Sequence, residues 1–204
     1  MDAIEQRRSI RAYQPKAVPH TALEDILQAG MLAPSAKNAQ PWRFIVVQGK
    51  EKERLTAAMR AGIQREKETP LFPDLAFGLQ SAEQSAAILE QVPVAIVVQD
   101  TLAPTGSETL SAPARALETS RLLSIGAAME NMILRATQLG LGTLWIADTA
   151  YARPEIEQWC ELPGRVVSAL AIGYPDESPA PRPRKRPEDV IQWRTGVPDE
   201  ETRS

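Results

Sequence analysis

The sequence predicts a three-layer α/β/α protein, a sheet covered by helices on both of its faces. Two observations carry that expectation. Four short segments, "FIVVQ", "PVAIVVQ", "TLWIA" and "RVVSALAIG", are apolar at consecutive positions, the pattern of strands buried on both faces. Between them run longer segments with apolar residues at helical spacing, so each strand has helical material to cover it.

Along the chain, residues 2 to 8 suit a short helix, and Arg7 to Tyr13 alternates as an extended segment does, with Arg7, Ser9, Arg11 and Tyr13 on one side. Thr21-Ala-Leu-Glu24 has the form of a capping box after Pro19. Leu23, Ile26, Leu27 and Met31 then continue a helix to about Leu32, and Pro34 ends it. Phe44 to Gln48 reads as a buried strand, 51–62 as a helix, 63–80 as irregular and 81–91 as a helix again. Pro93 opens the second buried strand, and a turn-rich loop, "DTLAPTGSETLSAPA", follows it. The strongest helix spans 119–139, where Leu122, Ile125, Met129, Met132, Ile133, Ala136 and Leu139 form a wide stripe. Gly140 suits the position just past its end. "TLWIA" is the third strand, Pro154 opens a short helix in "RPEIEQWC", and "RVVSALAIG" is the fourth strand.

Composition excludes several classes. A chain of 204 residues favours a single domain. With 43% hydrophobic and 24% charged residues it has the makings of a globular core. A formal charge of −3 gives no global attraction for nucleic acid. No apolar run reaches bilayer length, and the start "MDAIEQRRSIRAY" is too polar for a secretory leader. One cysteine, Cys160, fits a reducing cytoplasm and reads as a packing residue, while His20, in "VPHT", reads as a turn residue. Seventeen prolines are unusual, and many lie in the last third.

Three stretches carry chemistry. In "RRSIR", Arg7, Ser9 and Arg11 on one side of an extended segment would grip a phosphate or an acidic ring edge, although a solvated charged face explains them too. In "APSAKNAQPWRF", Ser35, Asn38 and Gln40 offer donors and acceptors on a backbone stiffened by Pro34 and Pro41; a polar loop with Asn38 in a turn explains them equally well. In "QLGLGTLWIAD", Gly140 and Gly142 would let backbone approach a flat ligand, and helix capping explains Gly140 equally well. The order helix, glycines, strand differs from a dinucleotide-binding fingerprint.

Taken in order, "RRSIRAY", "LAPSAKNAQPWRFIVV", "ENMILRATQLGLGTLW", "ALAIGYP" and "PRKRPEDVIQW" resemble the FMN-dependent nitroreductase family over most of the chain, with gaps near 60–90 and 100–118. The resemblance implies a single α+β domain over 1–204 with a mixed, largely antiparallel sheet. It also implies a homodimer holding FMN between subunits, NAD(P)H as co-substrate, and a small aromatic or conjugated acceptor reached by a ping-pong mechanism. It assigns Arg7, Arg8, Ser9 and Arg11 to FMN, with Arg7 at the phosphate. Arg11 falls at the N1/O2 edge, where its cation would favour negative charge arriving with a hydride at N5. Pro34, Ser35, Ala36, Asn38 and Gln40 reach the flavin of the partner subunit. Leu141, Gly142 and Thr143 lie near N5, and Arg184 and Arg186 close over the phosphate, in a register that could slip by one at Lys185. Segments 60–85 and 101–118 line or lid the pocket, where Phe72 and Phe77 would stack on an acceptor or form the lid's own small core. The arm 174–204 would wrap the partner, as its Ile191 and Trp193 suggest, although a tail so rich in Pro and Arg also reads as a disordered, solvated one. A family branch that removes halogens or fragments the flavin, and a flavin-binding scaffold without turnover, remain the rival readings.

Overall fold

The structure, a computed structural model, describes residues 2–104 and 110–194. Part of the expected 101–118 lid segment and residues 195–204 of the expected arm therefore lie outside the described residues. Four strands, β1 (Trp42–Val47), β2 (Val94–Asp100), β3 (Gly142–Ile146) and β4 (Arg165–Gly173), form one sheet in the order β1-β2-β4-β3. Every neighbouring pair is antiparallel.

The continuous apolar runs become two cores because successive strand residues point to opposite faces. From β2, Ala95 and Val97 enter one core with Leu55, Met59 and Ile63 of α3 (Gly49–Glu68), Ala86 and Leu89 of α4 (Leu79–Gln91), and Ile156 of α6 (Arg153–Cys160). Val94, Ile96 and Val98 enter the other with Leu23 and Ile26 of α2 (His20–Met31) and Ile125, Met129, Met132 and Ile133 of α5 (Ala112–Gln138). β4 divides in the same way, Ala169 and Ala171 against Leu170 and Ile172. Each large side chain buried in these layers contributes about 1.5–3 kcal/mol of transfer free energy.

Several boundaries differ from the sequence reading. β1 is an edge strand with hydrogen bonds on one side only, so most of its residues are partly exposed rather than buried. α2 begins one residue before Thr21, with Pro19 at its N-cap and no side-chain cap; Thr21 and Glu24 are inside the helix and form no capping box. His20 is therefore the first helical residue, and its Nε2 lies 3.4 Å from Glu24. α3 runs on to Glu68, well past 62, and six residues of 3₁₀ helix occupy Pro73–Gly78. α5 starts at Ala112, where the Ser111 hydroxyl accepts the N–H of Ala114 and Pro113 lies in the first turn.

The chain before α2 is stitched to the sheet edge. Ser9 pairs with Thr143 in a parallel bridge, and the N–H of Ile10 donates to the carbonyl of Thr143 at 2.9 Å. On its other side Tyr13 pairs with Pro175, the N–H of Gln14 donates to the Tyr174 carbonyl, and the N–H of Asp176 donates to the Ala12 carbonyl, both at 2.9 Å. Residues 9–14 thus lie between β3 and the start of the tail. Further along, α7 (Pro187–Val190) is one turn, and Val190, Ile191 and Trp193 are exposed on the single chain.

Candidate functional site

A cavity of about 560 Å³ opens where these stitched segments meet. One wall is the N-terminal segment with Arg7, Arg8, Ser9 and Arg11; the other is the tail from Pro179 to Arg182 with Arg184. Five guanidinium groups line it, and Glu5 is the one acid among the lining residues. Such a donor set suits an oxyanion, since each guanidinium offers a planar fork that matches a phosphate or carboxylate.

Local structure explains how the first wall is held. α1 (Ala3–Gln6) ends at Arg7, whose extended backbone turns the chain along the β3 edge. Arg7 Nε lies 3.7 Å from Glu130 of α5. Arg8 folds back, its Nη1 donating to the carbonyls of Glu5 and Arg7 at 2.7 Å each. Arg11 Nη1 donates to the Ser9 carbonyl at 3.3 Å. The alternation of Arg7, Ser9 and Arg11 along one side therefore delivers all three to the cavity, as the extended reading requires.

The other expected residues have different places. Leu141, Gly142 and Thr143 are buried beneath the Ser9–Ile10 segment. A Cβ on Gly142 would stand 2.7 Å from Ile10 Cγ1, so this glycine is required by protein packing. Gly140, at φ +73°, ends α5: its N–H donates to Thr137 and that of Leu141 to Ala136, a Schellman arrangement. The Pro34–Gln40 loop contributes no residue to the cavity of its own chain. Ser35 is turned inward, its hydroxyl accepting the N–H of Gln40 at 3.0 Å, and the N–H of Ala36 donates to Ser124 of α5 at 3.3 Å. Lys37, Asn38 and Gln40 all have left-handed φ near +50°, costing about 1 kcal/mol or more each. Pro34, Asn38 and Gln40 are exposed. Arg184 lines the cavity, whereas Arg186 is outside it, paired with Asp189 at 3.2 Å and Glu188 at 3.3 Å.

Three features were absent from the sequence reading. Arg182 lines the cavity beside Arg184; the alternation in "PAPRPRKRP" was the available signal. Glu177 accepts the backbone N–H groups of Arg11 and Ala12. Trp145 is 41% exposed in a strand otherwise buried, and its ring lies over Gly126 of α5, one turn before Glu130.

The 69–78 segment is firmly tied down. Glu66 is buried and accepts N–H groups from Leu71 and Phe72 while pairing with Arg65, which also grips Glu155 at 2.7 Å. Tyr151 donates its hydroxyl to the Leu75 carbonyl at 2.8 Å and meets Phe72 edge-on, whereas Phe77 is exposed. Burial, reinforced by Glu157, pushes the Cys160 thiol up to about 11, so it is protonated and unreactive near neutral pH. Among the described residues no cluster of His, Cys, Asp and Glu is arranged to hold a metal, and no helix is long and apolar enough to cross a membrane.

The model of the nitroreductase family matches residues 4–174. The chain belongs to the nitroreductase family. A protein of Archaeoglobus fulgidus, whose name joins NADH dehydrogenase with NAD(P)H nitroreductase, is 31% identical over 84% of this chain and 82% of its own length. An NADH dehydrogenase of Thermus thermophilus is 28% identical over 93% of both chains. Among solved structures, a BluB-like flavoprotein from Clostridium difficile 630 shares the fold at TM-score 0.74, with 23% identity over 95% of this chain and 98% of that one. The FMN and NADPH-dependent nitroreductase NfnB of Sphigopyxis sp. strain HMH superposes at TM-score 0.73, with 21% identity over 95% and 97%. The nitroreductase fold thus accounts for the sheet order and for both helical layers.

Proposed function

We propose that this nitroreductase-family chain is an NAD(P)H-dependent flavin oxidoreductase that binds FMN and reduces a small aromatic or conjugated acceptor by a ping-pong mechanism. The observation that carries the reading is the five-arginine cavity beside the β3 edge, because its donor chemistry fits a phosphate tethered to a flat ring. FMN, when bound, supplies the hydride transfer.

The chain's own residues then do the binding and the orienting. Arg7, Arg8 and Ser9 on one wall and Arg182 and Arg184 on the other hold the phosphate. Arg11 presents a cation that favours whichever redox form of the ligand beside it carries more negative charge. Trp145, a helical turn from the Glu130–Arg7 pair, offers an aromatic face to the ring. In a homodimer the exposed Pro34–Gln40 loop of the partner subunit completes the site, and the arm with its exposed Ile191 and Trp193 packs on the other subunit. Leu141, Gly142 and Thr143 serve the site by supporting the backbone of Ser9 and Ile10. A cytoplasmic setting fits the single, protonated thiol of Cys160.

The test is anaerobic. Purified protein should be yellow, and mixing it with NADPH or NADH should bleach the colour, which a nitroaromatic or quinone then restores. A yellow protein that neither nicotinamide bleaches is a flavin-binding protein without turnover, and the enzymatic reading is wrong.

A further inference from the structure

Residues 174–177 are the last of the tail to bond to the body before the proline strip begins. The N–H of Asp176 donates to Ala12 O at 2.9 Å, and the Glu177 carboxylate turns back to accept the N–H groups of Arg11 and Ala12, at 3.2 Å from the latter. Beyond it, among the described residues, no hydrogen bond ties 178–186 to the body; Arg184 bonds only to Arg182 O, and Arg186 pairs only with Glu188 and Asp189 of α7. Pro179, Pro181 and Pro183 stiffen that strip, because each fixes φ and none donates an N–H. A stiff strip held at one end behaves as a lever. At about 3.1 Å per residue, Arg184 lies up to about 20 Å from the pivot, so a 10° swing there moves it by about 3–4 Å. A charge-assisted hydrogen bond tolerates a few tenths of an ångström.

We infer that Glu177 is a positioning residue: its bonds to the Arg11 and Ala12 backbone set the angle at which the strip brings Arg182 and Arg184 opposite Arg7 and Arg11, and so set the affinity for the phosphorylated ligand. The inference rests on the FMN reading above for its ligand, and on the hydrogen bonds alone for its geometry.

The experiment is a thermodynamic cycle. FMN affinity is measured for the wild type, Glu177→Gln and Glu177→Ala, and for Glu177→Ala combined with Arg182→Ala and Arg184→Ala. Glu177→Ala should weaken FMN binding at least about tenfold, the loss expected on removing one charge-assisted anchor. Glu177→Gln should recover most of that loss, because the amide oxygen still accepts. Without the two arginines, Glu177→Ala should add less than about twofold. A full effect persisting without them, or wild-type affinity in Glu177→Ala, overturns the inference. A second measurement needs no flavin: trypsin should cut at Arg184–Lys185 and Lys185–Arg186 faster in Glu177→Ala than in the wild type or Glu177→Gln. Equal rates overturn the anchor. A wild type that refuses FMN refutes the proposed function instead, and the trypsin comparison still decides the role of Glu177.

Discussion

Gly142 lies directly beneath Ile10: a β-carbon there would stand 2.7 Å from Ile10 Cγ1 and 2.9 Å from Ile10 Cβ. The contact holds the cavity's first wall, because Ile10 is tied to Thr143 and Ser9 is bridged to the same residue. Gly142→Ala should therefore push the Ser9–Ile10 segment off the sheet edge, costing about 1–3 kcal/mol and lowering Tm by roughly 2–4 °C per kcal/mol. FMN affinity should fall with it. Gly140→Ala is the control, with open space around it and only its left-handed φ to strain; it should cost about 1 kcal/mol and leave FMN binding unchanged. Calorimetry with flavin titration separates the two.

Arg184 and Arg186 should behave differently although they are two residues apart. Removing the Arg184 guanidinium from the cavity should cost about 1.5–3 kcal/mol, roughly a ten- to hundredfold loss of FMN affinity. Arg186 lies outside it in an exposed pair with Asp189, and Arg186→Ala should change affinity less than about twofold. Equilibrium dialysis of the two variants reads the difference.

The helical layers and strands could be read from the sequence because their apolar spacing is local. β1 has the composition of a buried strand; its place at the sheet edge depends on strand order, which no local pattern encodes. α3 continues past 62 because Ile63 extends its buried stripe and Gln64 to Glu68 are good helix formers, with Arg65 also held by Glu155. In the site, Arg7, Ser9 and Arg11 line one cavity, and Arg8 between them lines it too, so alternation alone does not select the lining. The glycine turn was legible as a turn, but its close approach turned out to be to Ile10, a side chain more than a hundred residues away. The resemblance points to Arg184 and Arg186 of the Pro-Arg strip, and Arg182 takes its place beside Arg184 only where the tail crosses back over residues 7–11, a register that no local pattern fixes.

Glu66 should govern the order of the 69–78 segment. Burial pushes its carboxyl up, but the hydrogen bond from Arg65 and those from the N–H groups of Phe72 and Leu71 outweigh burial and hold it below the ordinary carboxylate value. A folded-state value depressed in this way contributes stability above the unfolded value, and that stability is lost as pH falls through the folded one. Protection of the Leu71 and Phe72 amides against hydrogen exchange, corrected for intrinsic rate, should hold at neutral pH and be lost only as pH falls below the ordinary carboxylate range. Glu66→Gln should lose about 1–3 kcal/mol of it already at pH 7.

Arg11 should tune the flavin as well as help to bind it. Arg11→Ala with FMN still bound should lower the midpoint potential by about 30–60 mV, the two-electron equivalent of one to two tenfold steps in equilibrium. Spectroelectrochemical titration measures it, and an unchanged potential would remove the role.

The arginine cavity as a phosphate site is tested most directly by comparing FMN with riboflavin, which has the same ring and lacks the phosphate, in calorimetric titrations of the flavin-free protein. Riboflavin should bind at least about a hundredfold more weakly than FMN, with the gap narrowing as salt rises. Equal affinity for the two would contradict the account.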